Sequence, residues 1–152
     1  MIKIQRNNFD FSNELDSFSR KNKFSGSITS FLGKVRKKST FGDVKFIDIE
    51  HYDAMTKKQI DEVIMNTSRK WNIDDYLIIH RYGKINVSEN IVLILIASQH
   101  RKDSIESLEY IIDWLKVKAT FWKKETTENG NFWVTQDKHD LDKLRKNQIK
   151  FD

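Results

Sequence analysis

Four lysines gather beside aromatic residues in the stretch DWLKVKATFWKKE, residues 113–125. The lysines are Lys116, Lys118, Lys123 and Lys124. Phe121 and Trp122 can supply partly apolar surroundings for these lysines. A lysine that is desolvated there, or crowded by other cations, has a lowered pKa. Such a lysine can act as a nucleophile or a proton carrier. The alternative is a surface ion pair between Asp113 and Lys116, which are three residues apart on a predicted helix.

Two further pairs of basic residues could hold an anion. Lys34 and Arg36 project from one face of a predicted strand about 6.6 Å apart. Together they could bind a phosphate, the arginine through its planar fork and the lysine as a point charge. His100 and Arg101 end an apolar strand just before a predicted helix, where anion sites commonly form. The alternatives are a solvated strand face for the first pair and a chain leaving the core for the second.

The histidines do not predict a metal site. His51, His80, His100 and His139 are scattered without H-x-H or H-E-x-x-H spacing, and the chain has no cysteine. The pair His80-Arg81 is interpreted as a strand end entering a turn. Neither a Walker loop, nor G-x-G-x-x-G, nor G-x-S-x-G occurs, so no nucleotide or serine-hydrolase chemistry and no cofactor are expected.

The strands that must position these side chains are indicated by period-2 alternation and β-prone residues. They are a short edge strand at residues 2–6, a longer strand in SGSITSFLGKVR (25–36), and a strand after a turn at Gly42. Two apolar runs, 75–87 and 89–101, are predicted to pair as central antiparallel strands joined near Asn86 to Asn90. Asn129-Gly130 predicts a hairpin between β-prone residues.

Two amphipathic helices are predicted between the strands. The first covers residues 55–71, with an apolar stripe that should pack on the sheet: Ile60, Val63, Ile64, Thr67 and Trp71. The second runs from Asp103 to near Lys118, with Asp103 and Glu106 as a capping box. Its apolar positions are Ile105, Leu108, Ile112 and Leu115. Beyond Gln136 the chain is charged and either helical or frayed. This order predicts an α+β fold around an antiparallel or mixed sheet.

Composition limits the function classes. The 152 residues are 38% hydrophobic, which fits a single domain over 1–152. Lys and Arg number 27 against 22 Asp and Glu, and the net charge of +5 favours an anionic partner. Absence of cysteine fits a reducing cytoplasm. No signal peptide is indicated, and the longest apolar run, 91–97, is too short for a bilayer span of about 20 residues.

The motifs, taken in order, resemble the large, catalytic subunit of molybdopterin synthase. The matching segments are SGSITSFLGKVR, IEHYDAM, IHRYGKINVSE, IASQHR and DWLKVKATFWKKE, which lie between about Phe24 and Trp133. The resemblance implies an α/β hammerhead fold and a homodimer. It also implies a small ubiquitin-like sulfur-carrier subunit on each protomer, giving a heterotetramer. The carrier's C-terminal Gly-Gly thiocarboxylate would deliver two sulfurs in turn to cyclic pyranopterin monophosphate (precursor Z), forming the dithiolene of molybdopterin.

The resemblance also assigns residues. It implies Lys116 and Lys123 as catalytic, and a substrate-binding set of Lys34, Val35, Arg36, His100, Arg101, Lys116, Lys123, Lys124 and Glu125. This chain departs from the family at Thr120, where proline is usual, and at Ser88, near which glycine is common. The Ser88 turn is expected to lie far from the chemistry. The main alternative is a non-enzymatic nucleic-acid-binding domain, since a basic sheet with exposed aromatics can stack bases.

Overall fold

The computed structural model describes residues 1–135, 141–142 and 145–146. These residues form two sheets and three long helices. The helices are α1 (Phe11–Lys21), α2 (Asp53–Lys70) and α3 (Arg101–Val117). The strands are β1 (Ile2–Gln5), β2 (Ser27–Lys34), β3 (Lys38–Ser39), β4 (Gly42–His51), β5 (Ile73–Arg81), β6 (Gly83–Asn86), β7 (Asn90–Ser98), β8 (Phe121–Thr127) and β9 (Gly130–Val134).

The four-stranded sheet has the order β1-β5-β7-β2, and its two central strands pair antiparallel as predicted. Strand β1 lies at the edge and runs parallel to β5. Side chains of β7 alternate between two apolar layers, because successive residues of a strand face opposite sides. Leu93 and Leu95 pack toward α1, while Ile94 and Ile96 pack in the cluster that contains α2 and α3. Burial on both faces explains the continuous apolar run of this strand.

The five-stranded sheet carries two lysines of the 113–125 stretch, Lys123 and Lys124, on β8. Strand β4 lies between β6 and β8, and β8 turns into β9 through the predicted hairpin. The hairpin turn is Glu128-Asn129, and Gly130 takes a φ of +126° as it pairs with Thr127. One face of the sheet buries Ile47, Ile49 and Ile85. The predicted α+β class with an antiparallel or mixed sheet is confirmed, since this sheet is antiparallel and the parallel β1–β5 pair makes the other one mixed.

Strand 75–87 was predicted as one element and the structure divides it. The chain leaves the four-stranded sheet at Tyr82, and β6 then pairs with β4 of the five-stranded sheet. Gly83 has a φ of +79°, a conformation that glycine adopts without the strain of a side chain. The prediction was wrong because both halves are β-prone, and periodicity does not reveal a change of sheet.

Two helix predictions also need correction. Helix α1 was missed, although Asp10 caps it by accepting a hydrogen bond from the amide of Asn13 at 3.0 Å. Helix α3 begins at Arg101, so Asp103 lies in its first turn and the predicted capping box is wrong. Glu106 instead accepts a hydrogen bond from the indole of Trp71 at 3.0 Å.

The buried face of α3 differs from the apolar stripe of the sequence. Ser104 and Ser107 are fully buried, whereas Ile105 is 53% exposed. The Ser104 hydroxyl lies 2.8 Å from that of Ser27, and Thr29 donates to the Ser104 carbonyl at 3.0 Å. Small hydroxyl side chains therefore let the helix approach β2 closely. Helix α2 packs on the sheet as predicted, through Ile60, Val63 and their neighbours.

No described helix is both long and apolar enough to cross a membrane. The tail beyond Gln136, including His139, lies outside the described residues except for 141–142 and 145–146, which are helical.

Candidate functional site

A pocket of about 160 Å³ lies between the end of β2 and strand β8. Five of the residues predicted for the site line it: Lys34, Val35, Arg36, Lys123 and Glu125. Ile47, Ile91 and Val134 complete the lining with apolar surface. The fold thus joins two segments that lie almost ninety residues apart in the sequence, and the pocket combines cations with one carboxylate.

Backbone pairing fixes the Lys34 side of the pocket. The pairing of β2 with β7 shifts between Gly33 and Lys34, and the strand ends there rather than at Arg36 as predicted. Val35 is 4% exposed. Its amide donates to the carbonyl of Glu89 at 3.0 Å, and its carbonyl accepts from the amide of Ser88 at 2.9 Å. The two exposed cations therefore flank an anchored apolar residue at the pocket.

These hydrogen bonds correct the expectation for the Ser88 turn. The turn was expected far from the chemistry, but it bonds directly to Val35, which lines the pocket. Sequence distance concealed this contact, because β2 and β7 are neighbours in the sheet.

Strand β8 supplies the other side of the pocket. Lys123 pairs with Ile49 and Glu125 with Ile47, so both side chains share the inner face of the five-stranded sheet. Glu125 has a buried carboxylate oxygen, Oε2, for which the described residues supply no hydrogen-bond partner. A buried acceptor of this kind favours a donor from a ligand. Lys124 faces the other way, with its Nζ 5.3 Å from the centre of the Trp133 ring.

A histidine-aromatic cluster lies next to Lys123 and was not anticipated. The ring of His80 stacks on Phe121 with centroids 3.6 Å apart, and His51 lies 5.9 Å from Phe121 on centroids. His80 Nδ1 lies 2.9 Å from the Arg81 carbonyl oxygen. A carbonyl oxygen only accepts, so this hydrogen bond requires a proton on Nδ1. Burial, together with the positive charge of Lys123, lowers the pKa of His80 to about 3. The imidazole is therefore neutral near pH 7.

The sequence carried one signal of this cluster. Phe121 stands two residues before Lys123 on β8, and so shares its face of the strand. Strand β5 ends at Arg81, in agreement with the interpretation of His80-Arg81 as a strand end, and both residues are buried. Arg81 bonds to the carbonyls of Arg6 and Asn90 and to the Glu89 carboxylate. The Arg81 guanidinium therefore connects the segment at Arg6 to the segment at Glu89 and Asn90.

The remaining predicted residues occupy the two ends of α3. Lys116 is exposed in the last turn, one short connection before β8. His100 caps the other end through its backbone and Arg101 is the first helical residue. The helix has 17 residues, which corresponds to a length of about 25 Å. Lys116 lies at the pocket end of the molecule, and within one chain His100 and Arg101 lie at the opposite end.

The arrangement favours binding of an anion that carries polar groups. Lys34, Arg36 and Lys123 supply positive charge and donors to one small pocket. Among the described residues, no three side chains of the metal-ligating types converge.

Comparison with known proteins places this geometry in a family. A family model described as "MoaE protein" matches residues 4–118. The chain belongs to this family. A molybdopterin synthase catalytic subunit from Haemophilus ducreyi is 39% identical over 121 residues, which are 80% of this chain and 80% of that protein.

Solved structures support the MoaE-family fold. A molybdopterin biosynthesis MoaE protein from Burkholderia ambifaria gives a TM-score of 0.78 at 34% identity, covering 95% of this chain and 97% of that one. A complex of subunits 1 and 2 of the molybdopterin-converting factor from Helicobacter pylori gives a TM-score of 0.75 at 20% identity, covering 89% and 90%. The second likeness concerns the fold alone. The hammerhead fold implied by the resemblance is confirmed.

Proposed function

We propose that this MoaE-family chain is the catalytic subunit of a molybdopterin synthase and acts as a sulfurtransferase. Its substrate would be cyclic pyranopterin monophosphate, and two sulfurs would come in turn from the thiocarboxylated C-terminus of a small carrier subunit. The observation that carries the proposal is the pocket that Lys34, Arg36, Lys123 and Glu125 line together. A cytoplasmic location remains a prediction.

The charges of the pocket suit these two reactants. A monophosphate and an anionic thiocarboxylate repel each other, and cations between them lower that repulsion. Arg36 can bind phosphate oxygens with two parallel donors, and Lys34 adds a point charge. The unpartnered oxygen of Glu125 can accept a hydrogen bond from a donor of the pterin.

The two lysines of the 113–125 stretch have separate roles in this proposal. Lys116 would polarise the thiocarboxylate or transfer protons as sulfur attacks, and Lys123, inside the pocket, would assist. Neutral His80 beside Lys123 adds no further positive charge at this point.

A small partner subunit is part of the proposal. The Helicobacter pylori protein of the same fold was solved as a complex of two subunits. An extended C-terminal tail of a carrier could enter the pocket beside β8, whose exposed Trp122 and Trp133 lie on the outer face of the sheet.

A homodimer within a heterotetramer would explain the position of His100 and Arg101. These residues lie at the far end of α3 from Lys116 in one chain. They could join the substrate-binding set if a second copy placed that end of its helix against the first copy's pocket. Homo-oligomers with two-fold symmetry form such reciprocal contacts.

Reconstitution tests the proposed activity. The chain is mixed with a thiocarboxylated carrier subunit and cyclic pyranopterin monophosphate, and the dithiolene product is followed by mass spectrometry. Replacement of Lys116 or Lys123 by Ala should lower turnover on the order of 10²-fold or more if the lysine is a general acid or base. Lys58→Ala, which removes an exposed lysine of α2 outside the pocket, serves as the control.

The outcomes separate the proposed function from its alternative. Product that depends on Lys116 or Lys123, but not on Lys58, supports the activity and its site. A folded protein that binds the carrier but yields no product would contradict the proposal. Salt-sensitive RNA binding at micromolar protein would then favour the nucleic-acid-binding alternative.

A further inference from the structure

The connection between α3 and β8 sets the distance between the two proposed catalytic lysines. Lys116 is in the last turn of α3, and Lys123 follows Phe121, the first residue of β8. Only residues 118–120 lie between these elements. Any movement of this connection would therefore change where Lys123 lies relative to Lys116.

Helix α2 holds the connection through side chains on one of its turns. The backbone amide of Thr120 donates to Gln59 Oε1 at 2.9 Å. The Thr56 hydroxyl donates to the Thr120 carbonyl at 3.3 Å, and the two threonine hydroxyl oxygens lie 2.9 Å apart. Because a hydroxyl has a single proton, Thr120 supplies the proton of the second bond. Both backbone polar groups of Thr120 are thus bonded to α2.

The surroundings favour a fixed position for this contact. Thr56 is fully buried, and Ala119, the residue before Thr120, is 8% exposed within the main apolar cluster. The Phe121 amide donates to the Ala119 carbonyl at 2.9 Å, which continues the bonded path into β8. Hydrogen bonds in buried surroundings restrain the groups that they join more firmly than bonds in water do.

We infer that Thr56, Gln59 and Thr120 form a polar clamp that positions Lys123 for the proposed reaction. The clamp residues act through the α3–β8 connection and are positioning residues. Proline, which the family resemblance leads one to expect at residue 120, would restrict the backbone but would lack the amide hydrogen that Gln59 accepts here. In this chain hydrogen bonds to α2 supply the restraint. The inference rests on the proposed function for its kinetic consequence only.

Matched valine substitutions on α2 provide the test. Thr56→Val removes the clamp hydroxyl with little change of shape. Thr67→Val makes the same change at another fully buried threonine of α2, whose hydroxyl donates to the Val63 carbonyl at 2.7 Å within the helix. Gln59→Leu, at a half-buried position, removes the acceptor of the Thr120 amide without opening the core.

We expect Thr56→Val and Gln59→Leu to lower kcat by roughly ten- to a hundredfold, with KM little changed, because a small misplacement of a catalytic group slows the reaction. Thr67→Val should retain the kcat of the wild type. Equal kcat values for Thr56→Val and Thr67→Val, in folded proteins, would overturn the inference.

A second readout does not depend on turnover. Amide hydrogen exchange at residues 119–122 and the rate of acetylation of Lys123 by an amine-reactive reagent, both followed by mass spectrometry, should rise in Thr56→Val and Gln59→Leu but not in Thr67→Val. If the wild type yields no product, the proposed function fails, and these two rates still decide the clamp. Exchange at 119–122 that stays at the wild-type rate in both clamp variants would overturn it.

Discussion

The residues around Lys123 combine charge with groups that are kept neutral. The imidazole of His80 lies flat on Phe121, and its pKa is lowered to about 3, first by burial and next by Lys123. A charged imidazole here would repel the lysine across a poorly solvated space. The proposed catalytic lysine therefore lies next to neutral aromatic side chains.

The lowered pKa of His80 predicts a loss of stability on acidification. Below the ordinary histidine pKa of 6.5, the unfolded chain binds a proton at His80 that the folded chain does not bind until about pH 3. The free energy of unfolding should therefore fall as the pH falls through this window, by up to about 1.4 kcal/mol per pH unit from this group. Urea unfolding between pH 7 and pH 5 measures the slope.

Two phenylalanine variants isolate this contribution. His80→Phe keeps a ring against Phe121 but does not titrate, so its unfolding free energy should depend less on pH between 6.5 and 5 than that of the wild type. His100→Phe makes the same replacement at an exposed histidine just before α3 and controls for the substitution itself. Parallel slopes for wild type and His80→Phe would contradict the prediction.

At the scale of elements, the turn between β6 and β7 holds the pocket edge at a cost in backbone strain. Ser88 has a φ of +69°, which is unfavourable for a residue with a side chain. Ser88→Gly should raise the free energy of unfolding by about 0.5–1 kcal/mol, because relief of this strain exceeds the greater freedom that glycine gives the unfolded chain. Thermal or urea unfolding measures the change.

Ser88→Ala is the control, since it removes the hydroxyl but keeps the side-chain carbon that causes the strain. It should not stabilise the protein. If alanine and glycine have the same effect, backbone strain at residue 88 is not the cause. The Ser88 amide still bonds to Val35 in both variants, so the pocket edge should remain in place.

The elements that the sequence predicted are those whose pattern comes from burial on a regular face. Apolar spacing located α2 and the β5–β7 pair, and Asn129-Gly130 located the hairpin. Features that do not follow this apolar pattern were not predicted. Buried serines on α3 gave no apolar signal, and the change of sheet at Tyr82 depends on pairing between distant segments.

The residues of the candidate site were also predicted only in part. The basic motifs suggested Lys34, Arg36 and Lys123, and the fold brings these three to one pocket. His80 and the clamp residues were not found, because their importance arises from contacts across elements. Thr120 was noted only as a departure from a family pattern, and its hydrogen bonds to α2 are visible only in three dimensions.

At the scale of the whole molecule, α3 keeps the proposed substrate-binding residues in two groups. Arg101 begins the helix and Lys116 lies in its last turn, so the two charges point to opposite ends of one chain. If both groups serve one substrate, each complete site must use residues from two copies. Symmetry of a dimer would then give two equivalent shared sites.

Mixing of two inactive variants tests this arrangement. Chains with Arg101→Ala and chains with Lys123→Ala should each lose most activity alone. In a mixed dimer, one site combines both intact residues and the other combines both defects. Unfolding and refolding an equal mixture should therefore restore about a quarter of the wild-type turnover, since about half of the dimers are mixed and each has one intact site. Sites built within a single chain would regain nothing, because every site would keep one defect, and an Arg101→Ala homodimer with normal turnover would remove that residue from the site.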